Sequence, residues 1–172
     1  PNITAPAPLL MARVNYAKQQ GAGGLLIAPG LTGFDTLRTL AEDNQVNLPL
    51  ISHPALLGSS VIHPDNGFSH AVLFGQLQRL AGADASIYPN YGGRFGFSQA
   101  ECQSIAGSCQ EPMGTYLPIL PTPGGGMTLE KVPEMLAVYG QEVMFLIGGA
   151  LYSRSSDLVD NVRYFLSLVG RQ

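Results

Sequence analysis

The residue pattern predicts a parallel α/β protein of the (β/α)8, TIM-barrel type with about six of the eight βα units present, and three observations point there. Short apolar runs alternate with longer stretches whose apolar residues recur at helical spacing, the signature of βα units feeding a parallel sheet. The alternation continues along the chain with no low-complexity linker to divide it. Two small glycine-built turns directly follow the last two apolar runs, where such barrels gather their binding loops.

In order, the expected strands are residues 2–4, 25–28, 48–52, 85–88, 116–120 and 143–147. The first helix places Leu10, Val14 and Ala17 on one face and stops at Gly21. The second turns Phe34, Leu37, Leu40 and Ala41 inward, and the third Leu73, Leu77 and Leu80. Ser98 and Glu101 have the S-x-x-E spacing of a capping box, so a helix opens there. Pro133 suits the first turn of a helix burying Met135, Leu136 and Tyr139. The last helix starts near Asp157 and buries Leu158, Val162 and Phe165 before Gly170. Pro1 falls at an apparent strand, so the chain reads as beginning mid-barrel with an open sheet edge, which a missing segment or a second chain would cover.

A chain of 172 residues suffices for one sizeable core, and 45% hydrophobic against 12% charged content argues against disorder. The formal net charge of -3, with no clustering of basic residues, disfavours a nucleic-acid partner or a membrane surface. No apolar run is long enough to span a bilayer, and a cytoplasmic protein is expected. Cys102 and Cys109, seven positions apart in one helix, match neither a disulfide framework nor a metal-ligand spacing and read as free thiols.

The candidate chemistry sits just after the apolar runs. Gly124, Gly125 and Gly126 follow the fifth, and Gly148 and Gly149 follow the sixth. Glycines let backbone N–H groups approach an anion closely, so the two turns together favour a shared phosphate, although either alone could be a plain structural turn. His53 ends the third run, where an imidazole could hydrogen-bond a substrate oxygen or move a proton. His63 and His70 suit surface or capping roles. Arg94 follows Gly92 and Gly93, a hinge that could swing its guanidinium over an anionic substrate. Asn90 could bond sugar hydroxyls or simply form a turn. Walker loops, nucleophile elbows and CxxC metal sites are absent from the sequence.

Across its whole length the chain resembles the RuBisCO-like proteins, relatives of the RuBisCO large subunit. The landmarks, in order, are Asn2-Ile3-Thr4-Ala5, Ser52-His53-Pro54-Ala55, the stretch from Gln76 to Asp84, and the two glycine turns. The resemblance implies that residues 1–172 are the C-terminal part of a barrel that packs with an α+β N-terminal domain in homodimers or higher oligomers. It also implies Mg2+ held by a carbamylated lysine and two carboxylates upstream of Pro1, because the K-x-D-[DE] motif is absent and no metal ligand is expected here. By the same resemblance His53 matches an active-site histidine and the glycine turns match phosphate loops. Pro54 stands where true carboxylases have arginine, and Arg94 stands about where their mobile loop has lysine, so CO2 fixation is not expected. The implied activity is Mg2+-assisted enolisation, isomerisation or decarboxylation of a phosphorylated sugar. The loop from Tyr88 to Arg94 looks closer to members handling acid-sugar phosphates, such as 3-oxo-isoapionate 4-phosphate, than to methionine-salvage enolases. The competing readings are a truncated, non-catalytic assembly partner and an unrelated phosphate-binding barrel isomerase or synthase.

Overall fold

The structure is a computed structural model and describes residues 1–170. Helix α1 (Ala7–Gln19) leads into strand β1 (Leu25–Ile27), then α2 (Pro29–Thr32), α3 (Phe34–Glu42) and β2 (Leu50–Ser52). A 3-10 turn at Gly58–Val61 and a π-helical turn at Val72–Gln76 precede α4 (Leu77–Leu80) and β3 (Ala85–Pro89). Then come α5 (Gln99–Gln110), β4 (Leu120–Gly124), α6 (Val132–Tyr139), α7 (Gly149–Ser153) and α8 (Leu158–Leu168).

The four strands form one parallel sheet in the order β1-β2-β3-β4, as consecutive βα units require. Two further segments lie parallel to its outer strands without becoming strands. Residues 1–3 pair with β1 through a bridge between Asn2 and Leu26, and residues 143–147 flank β4 through a bridge between Gly124 and Leu146. All six expected strand positions therefore lie side by side, but two are bridges and, among the described residues, the sheet stays open. The parallel α/β class expected from the sequence is present as a four-stranded parallel sheet.

Prolines explain the weak outer ladder. Strand β4 begins at Leu120, four residues later than expected, and absorbs Pro121 and Pro123, which had looked like part of a turn. Their carbonyls accept from the N–H groups of Met144 and Leu146 at 3.0 and 3.2 Å. A strand residue aims its N–H and C=O at the same neighbour, and proline has no N–H, so this ladder has acceptors without the matching donors.

One apolar cluster gathers about β1 and β2 and a second about β3. Ile3, Leu10, Val14, Leu25, Leu37 and Leu40 join α1 and α3 to β1. Phe74, Tyr88, Ile105 and Met135 join the π-helical turn, α5 and α6 to β3. The expected inner face of α1 holds, α6 buries Met135 and Tyr139 but leaves Leu136 half-buried, and Ser98 and Glu101 form the capping box in both directions.

Three helix faces differ from expectation. In α3, Ala41 is exposed. The π-helical turn inserts an extra residue per turn, so Leu73 stays buried while Leu80 turns outward at 39% exposure and Gln78 and Arg79 turn in. Buried Arg79 is satisfied by the carbonyls of Ser108, Glu111, Tyr116 and Leu117, which tie the end of α5 and the segment after it to α4. In α8, capped by Asp157 as expected, Leu158 and Val162 are exposed and only Asn161 is buried, because no element covers that apolar face among the described residues. Among the described residues no helix is long and apolar enough to cross a membrane.

Candidate functional site

The carboxyl ends of β2, β3 and β4 open on a cleft of about 490 Å³. In parallel α/β sheets the loops at these ends hold the chemistry, because strand registers deliver them to one side. His53, Arg94, Gly124 and Gly125 line it together, as the sequence suggested. The His53 N–H donates to the Ile27 carbonyl at 2.8 Å, pinning the residue beside the end of β1. Its ring Nδ1 accepts the Ala55 N–H at 3.2 Å.

Arg94 is exposed, with its guanidinium 4.9 Å from the centre of the Phe95 ring. The loop before it is fixed by close backbone packing. Gly125 and Gly126 have φ of 83° and 68°, the left-handed region glycine tolerates. A Cβ on Gly126 would overlap the Cα of Gly93, and one on Gly93 would sit 3.1 Å from the Gly125 carbonyl oxygen. The glycines thus let the β3 loop lie directly on the β4 turn, which carries Arg94 to the mouth of the cleft.

Asn90 takes a different place from the one expected. It is fully buried, its N–H donates to the Gly124 carbonyl at 2.9 Å, and its Oδ1 accepts the Tyr139 hydroxyl at 2.6 Å. Its Nδ2 lies 3.5 Å from the Met135 sulfur. Engaged at both side-chain ends and fully buried outside the cleft lining, it latches the loop to α6, away from any sugar hydroxyl in the cleft. Tyr91 adds a second tie, its hydroxyl donating to Glu134 at 2.9 Å, and burial followed by that hydrogen bond pushes its phenol up to about 12.

Gly148 and Gly149 lie outside the residues lining the cleft, which on that side ends at Leu146. The two glycine turns are joined across the Gly124–Leu146 bridge but do not enclose one space. His63 and His70 stay outside as well, His63 capping Asp65 and His70 lying edge-on to Phe97 at 4.5 Å.

The apolar wall of the cleft was missed at the sequence level. Leu56, Phe74, Ile87, Phe95, Phe97 and Leu146 supply it. The one available signal was Phe95 and Phe97 beside Arg94, two aromatics in a glycine-rich loop. Leu56 is held at φ 64° while 72% exposed, a conformation costing a leucine roughly 1–2 kcal/mol. Such strain often marks a functional loop.

The family resemblance calls for Mg2+, a hard cation that takes oxygen ligands, chiefly carboxylates. The cleft is lined by no Asp or Glu, and the described residues contain no cluster of three or more His, Cys, Asp or Glu side chains placed to hold a metal. The residues present do not fit the ion.

The chain matches no family model. It is 38% identical over 169 residues to a 5-methylthioribulose-1-phosphate isomerase of Rhodospirillum rubrum, covering 98% of this chain and 43% of that protein. It is 29% identical over 168 residues to a 2,3-diketo-5-methylthiopentyl-1-phosphate enolase of Bacillus licheniformis, covering 98% of this chain and 41% of the enzyme. Among solved structures, the RuBisCO-like protein of Rhodopseudomonas palustris superposes with a TM-score of 0.81 at 32% identity, over 99% of this chain and 44% of the other. The chain thus spans less than half the length of these relatives. With its parallel α/β sheet and its likeness to them along nearly its whole length, the chain belongs to the RuBisCO-like proteins and corresponds to a C-terminal portion of their longer chains.

Proposed function

We propose that this chain supplies the phosphate- and carbonyl-binding face of an enzyme that enolises or isomerises a phosphorylated sugar. The observation that carries the reading is the meeting of His53, Arg94 and the Gly124-Gly125 turn in one cleft at the carboxyl end of the sheet. The exposed backbone at Gly125 and Gly126 and the Arg94 guanidinium suit a phosphate, arginine contributing a charge-assisted, bidentate contact. Gly148 and Gly149 lie outside this cleft, so the proposed phosphate position rests on Arg94 and the Gly125-Gly126 backbone.

His53 stands on the opposite strand end, placed for a carbonyl oxygen of the sugar. Removing a proton beside a carbonyl leaves negative charge on that oxygen, and a fixed donor there lowers the barrier because the charge grows toward it. The apolar wall favours a substrate whose tail is also apolar. An alkylthio sugar phosphate, of the kind named for the relatives above, fits it better than the acid-sugar phosphates expected from the loop sequence, because a carboxylate against Phe74, Ile87 and Leu146 would lose its water without gaining a partner. The unrelated-barrel reading falls with the family assignment, and the lined cleft gives the assembly-partner reading no support. Titration calorimetry with 5-methylthioribulose 1-phosphate tests the proposal. Arg94→Ala should weaken binding about tenfold or more, as loss of a charged hydrogen bond does. Unchanged affinity in that variant would remove Arg94 and the proposed phosphate position together.

A further inference from the structure

We infer that His53 serves as a neutral hydrogen-bond donor to a carbonyl or enolate oxygen, its proton held on Nε2 by the turn His53-Pro54-Ala55. The inference rests on the sugar-phosphate reading above and adds the direction in which the imidazole works. A neutral imidazole has one nitrogen with a free lone pair and one with a proton. The Ala55 N–H points at Nδ1 from 3.2 Å, so the lone pair is there and the proton is on the other nitrogen. Nδ1 being engaged, Nε2 is the ring atom left to face the cleft that His53 lines.

Pro54 makes this geometry a property of the local sequence. It has no N–H of its own and a fixed φ, so the first amide after the histidine that can reach back is that of Ala55. The chain repeats the device ten residues later, where Asp65 N–H donates to Nδ1 of His63 at 3.1 Å across Pro64. His70, followed by Ala71, has no such turn, and its Nδ1 faces Glu101 Oε1 at 3.6 Å, which asks for a proton on that nitrogen instead. One chain thus holds two tautomer classes, divided by whether a proline follows the histidine.

The functional consequence is specific. With a proton on Nε2 there is no lone pair there to take a proton from carbon, so His53 polarises the oxygen and another group abstracts the proton. Within the cleft no carboxylate offers itself, so that base comes from outside its lining.

The ring state can be read directly by long-range proton–nitrogen correlation NMR on the chain labelled with 15N-histidine, at neutral pH and without ligand. His53 and His63 should show a protonated Nε2 and a lone-pair Nδ1, and His70 the reverse. Assignment comes from His53→Gln or, where that variant does not fold, by elimination from His63→Gln and His70→Gln. A proton on Nδ1 of His53, or an even mixture, overturns the inference whether or not a sugar phosphate binds. The donor role is then read from the preference for dihydroxyacetone phosphate over glycerol 3-phosphate, which has no carbonyl. His53→Ala should reduce that preference about 2- to 10-fold, and His53→Gln, which keeps an N–H donor, should retain part of it. An unaltered preference in His53→Ala overturns the role. Because both compounds carry phosphate, failure of the phosphate site weakens both affinities alike and is distinguishable from loss of the donor.

Discussion

Tyr88 shows how a single side chain can be committed to two surfaces. It is fully buried, it borders the cleft at the end of β3, and its hydroxyl has no hydrogen-bond partner. Burial, then the neighbouring Tyr139, pushes its phenol well above the ordinary tyrosine range. Because the folded state holds this group protonated more firmly than the unfolded chain does, it contributes stability that is complete below the ordinary tyrosine range and is lost as pH rises through and above it. Tyr88→Phe removes both the unpaired hydroxyl and that ionisation. The variant should be as stable as the parent or more so by about 1 kcal/mol near neutral pH, and should lose less stability at alkaline pH, as read by denaturant melts across the pH range. A loss of more than that at neutral pH would mean the hydroxyl has a partner. Asn90 teaches the complementary lesson. Its type and position suggested a sugar ligand, yet Tyr139 and Met135 consume its side chain, and sequence cannot show which of two uses a carboxamide finds.

At the scale of elements, the site depends on two loops touching through glycine. The β4 turn and the β3 loop approach so closely that only hydrogen fits at Gly93 and Gly126. Gly126→Ala should destabilise the fold by roughly 1–3 kcal/mol, since it adds both a left-handed alanine and a clash with Gly93. It should also displace Arg94 and weaken phosphate binding, measurable by thermal melt and phosphate titration on the same sample. A variant that melts normally and binds normally would show that the two loops do not depend on one another. Among the glycines of the two turns, Gly126 is required by backbone packing against Gly93, and that packing is what delivers Arg94.

At the scale of the whole molecule, the donor set decides which part of the chemistry this chain holds. It has a guanidinium, an imidazole and glycine amides at one cleft, all suited to anions and oxygens, and no carboxylate there to hold a hard cation. Millimolar Mg2+ should therefore leave the melting temperature of the 172-residue chain unchanged, whereas phosphate should raise it. A Mg2+-dependent rise without phosphate would place a cation site in the chain after all. The uncovered apolar face of α8, with Leu158, Val159, Val162 and Leu166 exposed, and the weak ladders on both flanks of the sheet fit a chain that spans under half of its relatives' length.

Much of this was legible from residue order. Alternating apolar runs set the parallel α/β class, the capping box at Ser98 and Glu101 set the start of α5, and His53, Arg94 and the Gly124-Gly125 turn marked loops of the cleft, because these features act over a few residues. What only the tertiary structure decided depends on partners distant in sequence. The prolines of β4 belong to a strand because they pair with β3, and because their carbonyls accept the N–H groups of Met144 and Leu146, partners that no local window spans. The π-helical turn rotates Arg79 inward, where carbonyls at the end of α5 and after it satisfy it, and Gln78 with it, whose Nε2 donates to the Leu73 carbonyl while its Oε1 has no partner among the described residues. Asn90 is drawn under the loop by α6, and the apolar wall gathers from β2, β3 and the flanking segment at once. Local chemistry can be read along a chain, but which neighbour saturates each polar group is settled only when the chain closes on itself.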